Sequence, residues 1–267
     1  MTGLKIKPAH EISVKPVALY VLFLLANTAL GQSTTNSVFA ARAEKAFAQA
    51  RLRFQSDTNA DAAVQLGRTS FDFADFATND TERADIAKIG IAACQGLLAR
   101  DPKSAPGHYY LAMNFGQLAE AEEPSIAAYK LVKEIEREFK AAAEADEQFD
   151  FAGPARNLGL LYRDAPGWPI SIGSKRKARE WLERAGRLAP DYPENRLNLA
   201  ESLLRWKEYP EAAKELNALD ALWSKAGTNF TGEAWEQSWT DWSTRREAVR
   251  QKLDAISKPG KSSKNGP

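Results

Sequence analysis

Three arginines, Arg156, Arg163 and Arg205, carry the strongest recognition chemistry in this chain of 267 residues. A guanidinium is a planar fork of donors that grips a carboxylate through two parallel bonds, so arginines recurring beside apolar residues suit the capture of a peptide terminus or an acidic side chain. Tyr109 and Met113 would supply the apolar company. Trp168, held between Gly167 and Pro169, puts a large ring on a stiffened turn. It reads either as a plug over its own helices or as a rim residue for a partner, since tryptophan is a frequent interface anchor. Catalytic groups are sparse. His108 has no second histidine near it, and Cys94, with Leu97 and Leu98 close in sequence, reads as a buried, inert thiol. Two histidines and one cysteine exclude an intrachain disulfide and disfavour a zinc cage. There is no glycine-rich phosphate loop, no Gly-x-Ser-x-Gly elbow and no Cys/His pair at a nucleophile's spacing. The acid pairs Glu122-Glu123 and Glu144 with Glu147 fit solvated helix faces, where nothing raises a carboxyl pKa for acid catalysis. The chain is expected to be no enzyme and to hold no cofactor and no metal.

Composition narrows the partners. With 36 Lys+Arg against 35 Asp+Glu the net charge is +1, which excludes a polybasic nucleic-acid coat. A hydrophobic fraction of 44% with 27% charged residues belongs to a water-soluble globule. The amino end differs from the rest: Lys5, Lys7 and Lys15 precede an apolar run over residues 17–26, and Ala29 and Gly31 are the small residues a signal peptidase needs. Residues 1–31 therefore read as a signal peptide cut near Gly31, with a second small-residue site ending at Ala40. A retained anchor is the alternative, although the run is shorter than the roughly 20 residues that span a bilayer. No cysteine lies near the cut, so no lipid anchor is expected there. The expected product is exported, periplasmic or extracellular. Residues 258–267, rich in Lys, Ser, Gly and Pro, read as a disordered tail.

The elements that must position these side chains are helices. Over residues 32–257 apolar and small residues recur at helical spacing, and no segment alternates with period two long enough to argue a strand. Helices are expected at 38–55, 60–77, 81–100, 107–121, 125–147, 154–163, 174–188, 194–206, 209–225 and 233–256. Ser174 and Asp80 are placed to cap a first turn, and Pro124 and Pro210 to sit where a missing donor costs nothing. The helices come in pairs that repeat. Leu158, Gly159, Tyr162, Ala178, Leu182, Ala185 and Pro190 meet the offsets of the tetratricopeptide pattern, and Leu199, Ala200, Leu203, Ala212 and Leu216 meet them again about 34 residues on, after an insertion between Tyr162 and Ala178. An earlier copy holds Pro102, His108, Leu111, Ala112 and Phe115. Small residues at Gly159, Ala178, Ala200 and Ala212 let neighbouring helices approach, so the expected fold is an all-α, right-handed solenoid of helix pairs. Trp235, Trp239 and Trp242 stand at i, i+4 and i+7 on one face of the last helix, which is expected to cap the open end of the array.

The same register places a stripe on the first helix of each pair, facing the concave side: Tyr109, Met113, Gly116 and Gln117; Arg156, Leu160, Arg163 and Asp164; Leu197, Glu201, Leu204 and Arg205. The stripe reads either as a binding face for a peptide tail or ligand, or as a face filled by the neighbouring helix. On the first reading, replacing Arg156 and Arg163 with alanine weakens partner capture and leaves helicity unchanged.

One segment is more specific. Residues 150–162, then Ala165-Pro166-Gly167-Trp168-Pro169 and Pro193-Glu194-Asn195, resemble the T-component family of tetratricopeptide-associated TRAP transporters over about residues 100–220. That resemblance implies an envelope protein, often lipid-anchored and homo-oligomeric, that docks a periplasmic solute-binding protein and passes or holds a hydrophobic ligand. This chain lacks the anchoring cysteine. A general envelope scaffold with another protein client is the second reading, and a hydrolase with an unrecognised site the third.

Overall fold

The computed structural model describes residues 34–122 and 126–257. The expected signal peptide and its cut near Gly31, the cap at Pro124 and the tail over 258–267 lie outside the described residues. In order the elements are α1 (Thr34–Ser56), α2 (Ala60–Ala74), α3 (Asp80–Leu98), α4 (Ala105–Glu120), α5 (Ile126–Ala145), α6 (Phe149–Asp164), α7 (Lys175–Leu188), α8 (Pro193–Arg205), α9 (Tyr209–Asn229), a single 3₁₀ turn (Glu233–Trp235) and α10 (Glu236–Ser257). Among the described residues there is no strand, only an isolated bridge between Gly167 and Gly173.

Local chemistry starts most of these helices. The side chains of Asn59, Asn79, Ser104 and Ser174 accept from the orphan N–H groups of Ala62, Glu82, Gly107 and Lys177. Asp80, expected as a cap, lies inside the first turn, and its neighbour Asn79 does the capping. Glu82 reaches back to accept from the Thr78 N–H at 2.8 Å, so donors at this terminus are satisfied from both sides. Pro193 and Pro210 occupy first turns, where a proline breaks no hydrogen bond.

Four pairs, α2–α3, α4–α5, α6–α7 and α8–α9, stack in chain order, and each first helix lies beside the next one. The core follows the array: one cluster joins α1, α2 and α3, a larger one runs from α3 to α9, and a third joins α8, α9 and α10. The small residues sit at the crossings, with Ala178, Ala200 and Ala212 fully buried and Leu182, Leu203 and Leu216 filling the space around them.

The last helix closes the array. Trp242 is buried, packing edge-on against Tyr192, and the Trp239 indole N–H donates to the Phe230 carbonyl at 2.6 Å. Arg245 of α10 grips both Glu201 oxygens on α8 at 2.9 and 2.7 Å, while Arg246 and Arg250 hold Asp220 of α9. No local pattern announces the path of α1. Its C-terminal half packs on α2 through Phe47, stacked on Phe73 at 5.3 Å, yet Arg42 in its other half bonds Glu233 and Glu236 at 2.8 and 2.6 Å. The first helix thereby reaches from the first pair to the capping helix.

Candidate functional site

The side chains expected to bind a partner separate into three groups. Tyr109, Met113 and Arg156 are buried, Arg163 nearly so, and Arg205 and Trp168 face solvent. The reason is a run of polar bonds from each first helix to the next. Gln117 of α4 donates to Asp75 near the end of α2. The Tyr109 hydroxyl accepts from Asn157 of α6 at 3.0 Å and donates to Asp150 at 2.7 Å. From α6, Arg156 reaches Asn195 of α8 at 3.2 Å and Arg163 reaches Ser202 at 3.3 Å. Arg205 of α8 reaches back to Asp164 at 2.5 Å, and Arg245 of α10 holds Asn198 and Glu201. The polar stripe is therefore stitching between repeats along most of its length. Met113 packs into the main core cluster.

Arg156 requires a correction of role. Its guanidinium donates to the carbonyls of Asp150 and Phe151 at 3.3 and 3.2 Å, to the Asp150 carboxylate at 2.9 Å and to Asn195, and its cationic carbon lies 5.1 Å from the centre of the Tyr192 ring. Burial opposes the charge, but Glu194, Asp150 and the neighbouring tyrosines raise its pKa and keep it ionised. Its donors are spent on a strained turn. Asp150, Phe151 and Ala152 all have left-handed backbone, with φ of 49°, 55° and 63°, a conformation that costs of order 1–3 kcal/mol for a residue other than glycine. Regular helix begins after this turn, at Gly153-Pro154, where the sequence places it. Replacing Arg156 therefore attacks the fold, which bears against the expectation of unchanged helicity when it is removed together with Arg163.

An open polar station lies instead on α2. Aligning Leu66-Gly67 with Leu158-Gly159 puts Val64, Arg68, Phe71 and Asp72 at the stripe positions of the first pair. Gly67 packs against Cys94 and Tyr110, as a small slot between helices should. Arg68 and Asp72 remain 56% and 45% exposed while lying 3.6 Å apart. Burial by the surrounding helices pushes the Asp72 carboxyl up to about 7 against the opposing pull of Arg68, with Asp75 and Asp150 adding to the rise. The pair thus stands in contact with solvent at one edge of the helices packed around α2. At the next stripe, a Cβ on Gly116 would touch nothing within 4 Å. Sequence reasoning passed over α2 because the repeat was traced from Pro102 onward, although the Leu-Gly pair was there to extend it.

Near this pair lies a second carboxylate group. Burial pushes Asp75 up to about 6 and Glu120 up to about 8, each opposed by Arg83, which bonds Glu120 at 3.1 Å and Gln117 at 2.7 Å. The sign of the consequence follows from linkage. A carboxyl whose folded pKa lies above its unfolded value favours the folded state most when protonated, so its contribution is full below the unfolded pKa and fades as pH rises through the folded one. Glu120→Gln mimics the protonated form. Its melting temperature relative to the unmodified chain should rise between about pH 5 and about pH 8; a difference that stays flat in thermal melts would refute the buried position of Glu120.

The remaining candidates are structural. His108 bridges Glu138 at 2.6 Å and the Pro102 carbonyl at 3.0 Å. Cys94 is buried, and burial pushes its thiol up to about 12, which removes the nucleophilic thiolate. Among the described residues no cluster of His, Cys, Asp and Glu is arranged to hold a metal ion, and no helix is long and apolar enough to cross a membrane.

No family model and no curated protein matches the chain. Among solved structures, a thermophilic TPR protein of Thermus thermophilus superposes with a TM-score of 0.55 at 19% identity, over 81% of this chain and 95% of that one. The fold is tetratricopeptide-like. That likeness agrees with the paired helices, the small-residue crossings and the stacked first helices described above.

Proposed function

We propose that this TPR-like chain is an exported, non-enzymatic adaptor whose concave side binds a segment of a protein partner. The observation that carries the reading is the contrast along the stripe. Polar groups on α4 and α6 are consumed by their neighbours, whereas Arg68 and Asp72 on α2 stand side by side with solvent access. An arginine fork next to a carboxylate offers donors and an acceptor to an extended backbone or a carboxyl terminus, and the stacked repeats hold the pair in place without help from a partner. The resemblance of residues 150–174 to the TRAP T-component family makes a periplasmic solute-binding protein the client to try first, and a general envelope scaffold is the broader form of the same reading.

The test is affinity capture from envelope extract with the intact chain and with Arg68→Ala plus Asp72→Ala. Both side chains are half exposed, so helicity should change little. Capture should fall by about tenfold or more, the loss expected for a central polar anchor in an interface. Undiminished capture would remove the α2 pair from the partner site.

A further inference from the structure

The strongest feature outside that pair is the loop between α6 and α7. Trp168 is 89% exposed, the most of any large apolar side chain among the described residues, and Ile170 is 62% exposed. The Trp168 ring therefore plugs nothing. The loop is nonetheless fixed. The Gly173 N–H donates to the Pro166 carbonyl at 2.9 Å, the Ile170 and Ser171 N–H groups to the Gly167 carbonyl at 3.1 and 3.2 Å, and the Ser174 N–H to the Tyr162 carbonyl at 2.8 Å. At its base Ala165 is buried, Ile172 packs against the main core, and Gly173 lies so close to the backbone of Ala165 and Pro166 that no side chain fits. A rigid base thus holds an apolar tip, Trp168-Pro169-Ile170, out in water.

Beside this tip the first turn of α7 reads Lys175-Arg176-Lys177 and contains no acid. Cations at a helix N-terminus oppose the helix dipole, so this placement also costs stability in isolation. Lys175 and Arg176 are 53% and 79% exposed. Glu208 neutralises part of the charge by pairing with Lys175 and Arg179, Glu180 lies 3.4 Å from Arg176, and Lys177 lies over the Tyr162 ring where it acts on Glu136, yet the cations Lys175, Arg176, Lys177, Arg179 and Lys207 outnumber these three acids and leave the surface net positive.

We infer that this loop is a membrane-docking wedge, with Trp168 and Ile170 entering the interface of an anionic lipid bilayer and Lys175, Arg176 and Lys177 meeting its headgroups. Both features that are unfavourable in water become favourable there: tryptophan settles at the headgroup boundary, with its ring in apolar surroundings and its N–H wet, and basic side chains beside an apolar insertion are drawn to anionic lipids. A protein partner fits less well, because a stable protein interface needs about 800 Å² on each side, more than a three-residue tip presents. A bilayer needs no complementary surface. This site is separate from the α2 pair and does not depend on it.

Selective labelling provides the test, because the buried Cys94 leaves an introduced cysteine as the reactive thiol. In the full chain, Ile170→Cys is labelled with an environment-sensitive fluorophore and mixed with phosphatidylglycerol vesicles or phosphatidylcholine vesicles. Leu52→Cys on α1, at an exposed position far from the loop, is the control. The probe at position 170 should shift to the blue with phosphatidylglycerol, lose the shift in high salt, and stay unshifted with phosphatidylcholine. Adding Trp168→Ser should weaken vesicle binding by about tenfold or more, the loss expected when one large apolar side chain no longer inserts. No shift at position 170, an equal shift at position 52, or a shift unaffected by Trp168→Ser would overturn the wedge. So would a Trp168→Ser chain that keeps the shift and loses capture of a protein partner.

Discussion

Arg156→Ala should lower the melting temperature by on the order of 10 °C, because removing one partner from a buried ion pair costs about 3–5 kcal/mol and each kcal/mol is worth roughly 2–4 °C in a domain of this size. The argument rests on what the guanidinium holds. It ties the Asp150 carboxylate, the carbonyls of Asp150 and Phe151 and the side chain of Asn195 to one point. Without it, three consecutive left-handed residues lose their main restraint, and the turn is left to Asn195, which donates to the Phe151 carbonyl at 3.0 Å, and to the Tyr109 hydroxyl on Asp150 at 2.7 Å. Arg156→Lys should recover only part of the loss, since a single ammonium cannot reach acceptors spread around a planar fork. Thermal melts of both variants decide this; a stable Arg156→Ala chain that had lost partner capture would return the residue to the binding face.

Gly159→Leu should damage the fold at least as severely. A Cβ at this position would lie 2.6 Å from the Leu182 Cγ and 3.0 Å from the Leu182 backbone nitrogen, so α6 and α7 would have to separate. Overpacking a well-filled site typically costs about 1–3 kcal/mol, and here a whole isobutyl group meets backbone as well as side chain. The expected result is a broad or missing cooperative transition in calorimetry and circular dichroism. Gly186→Ala is the contrast. It lies in the same helix pair, a Cβ there touches nothing within 4 Å, and the better helix propensity should stabilise the chain by up to about 1 kcal/mol. Two glycines in one repeat thus predict opposite signs.

These two cases show what was legible in the sequence. The repeat register follows from packing volume, and volume is written in residue type. Gly159, Ala178, Ala200 and Ala212 had to be small for the helices to meet, and each of the three alanines is fully buried. The starts at Ser174 and Pro154 were legible for the same kind of reason, since a cap and a missing N–H are local chemistry. The stripe was only half legible. Period fixes which way Tyr109 or Arg163 points, but not whether the neighbouring first helix leaves that direction open. Asn157 and Ser202 answer it from the next repeat, and no local pattern links them. The link from Arg42 to Glu233 and Glu236 lies further still beyond local reading, because it depends on how far the whole array curls. The open station on α2 is the instructive omission: Leu66-Gly67 carried the signal, and extending the register by one pair would have put Arg68 and Asp72 on the stripe.

The fold also separates two surfaces that a single-site reading would merge. The α2 pair is polar, with Arg68 and Asp72 half exposed and 3.6 Å apart. The loop after α6 is apolar at its tip and cationic at its base. A chain carrying both could hold a protein partner while resting on a lipid surface, and because the two sites share no residue, each can be disabled alone.

Site-specific photocrosslinking tests the central claim most directly. A photoreactive phenylalanine analogue replaces Phe71, the stripe position beside Asp72 on α2, in one chain and the exposed Lys133 on α5, the second helix of its pair, in another. Both are irradiated in envelope extract. The concave-groove account predicts a discrete protein adduct from position 71 and none from position 133. Adducts of equal yield from both positions, or an adduct from position 133 alone, would contradict it.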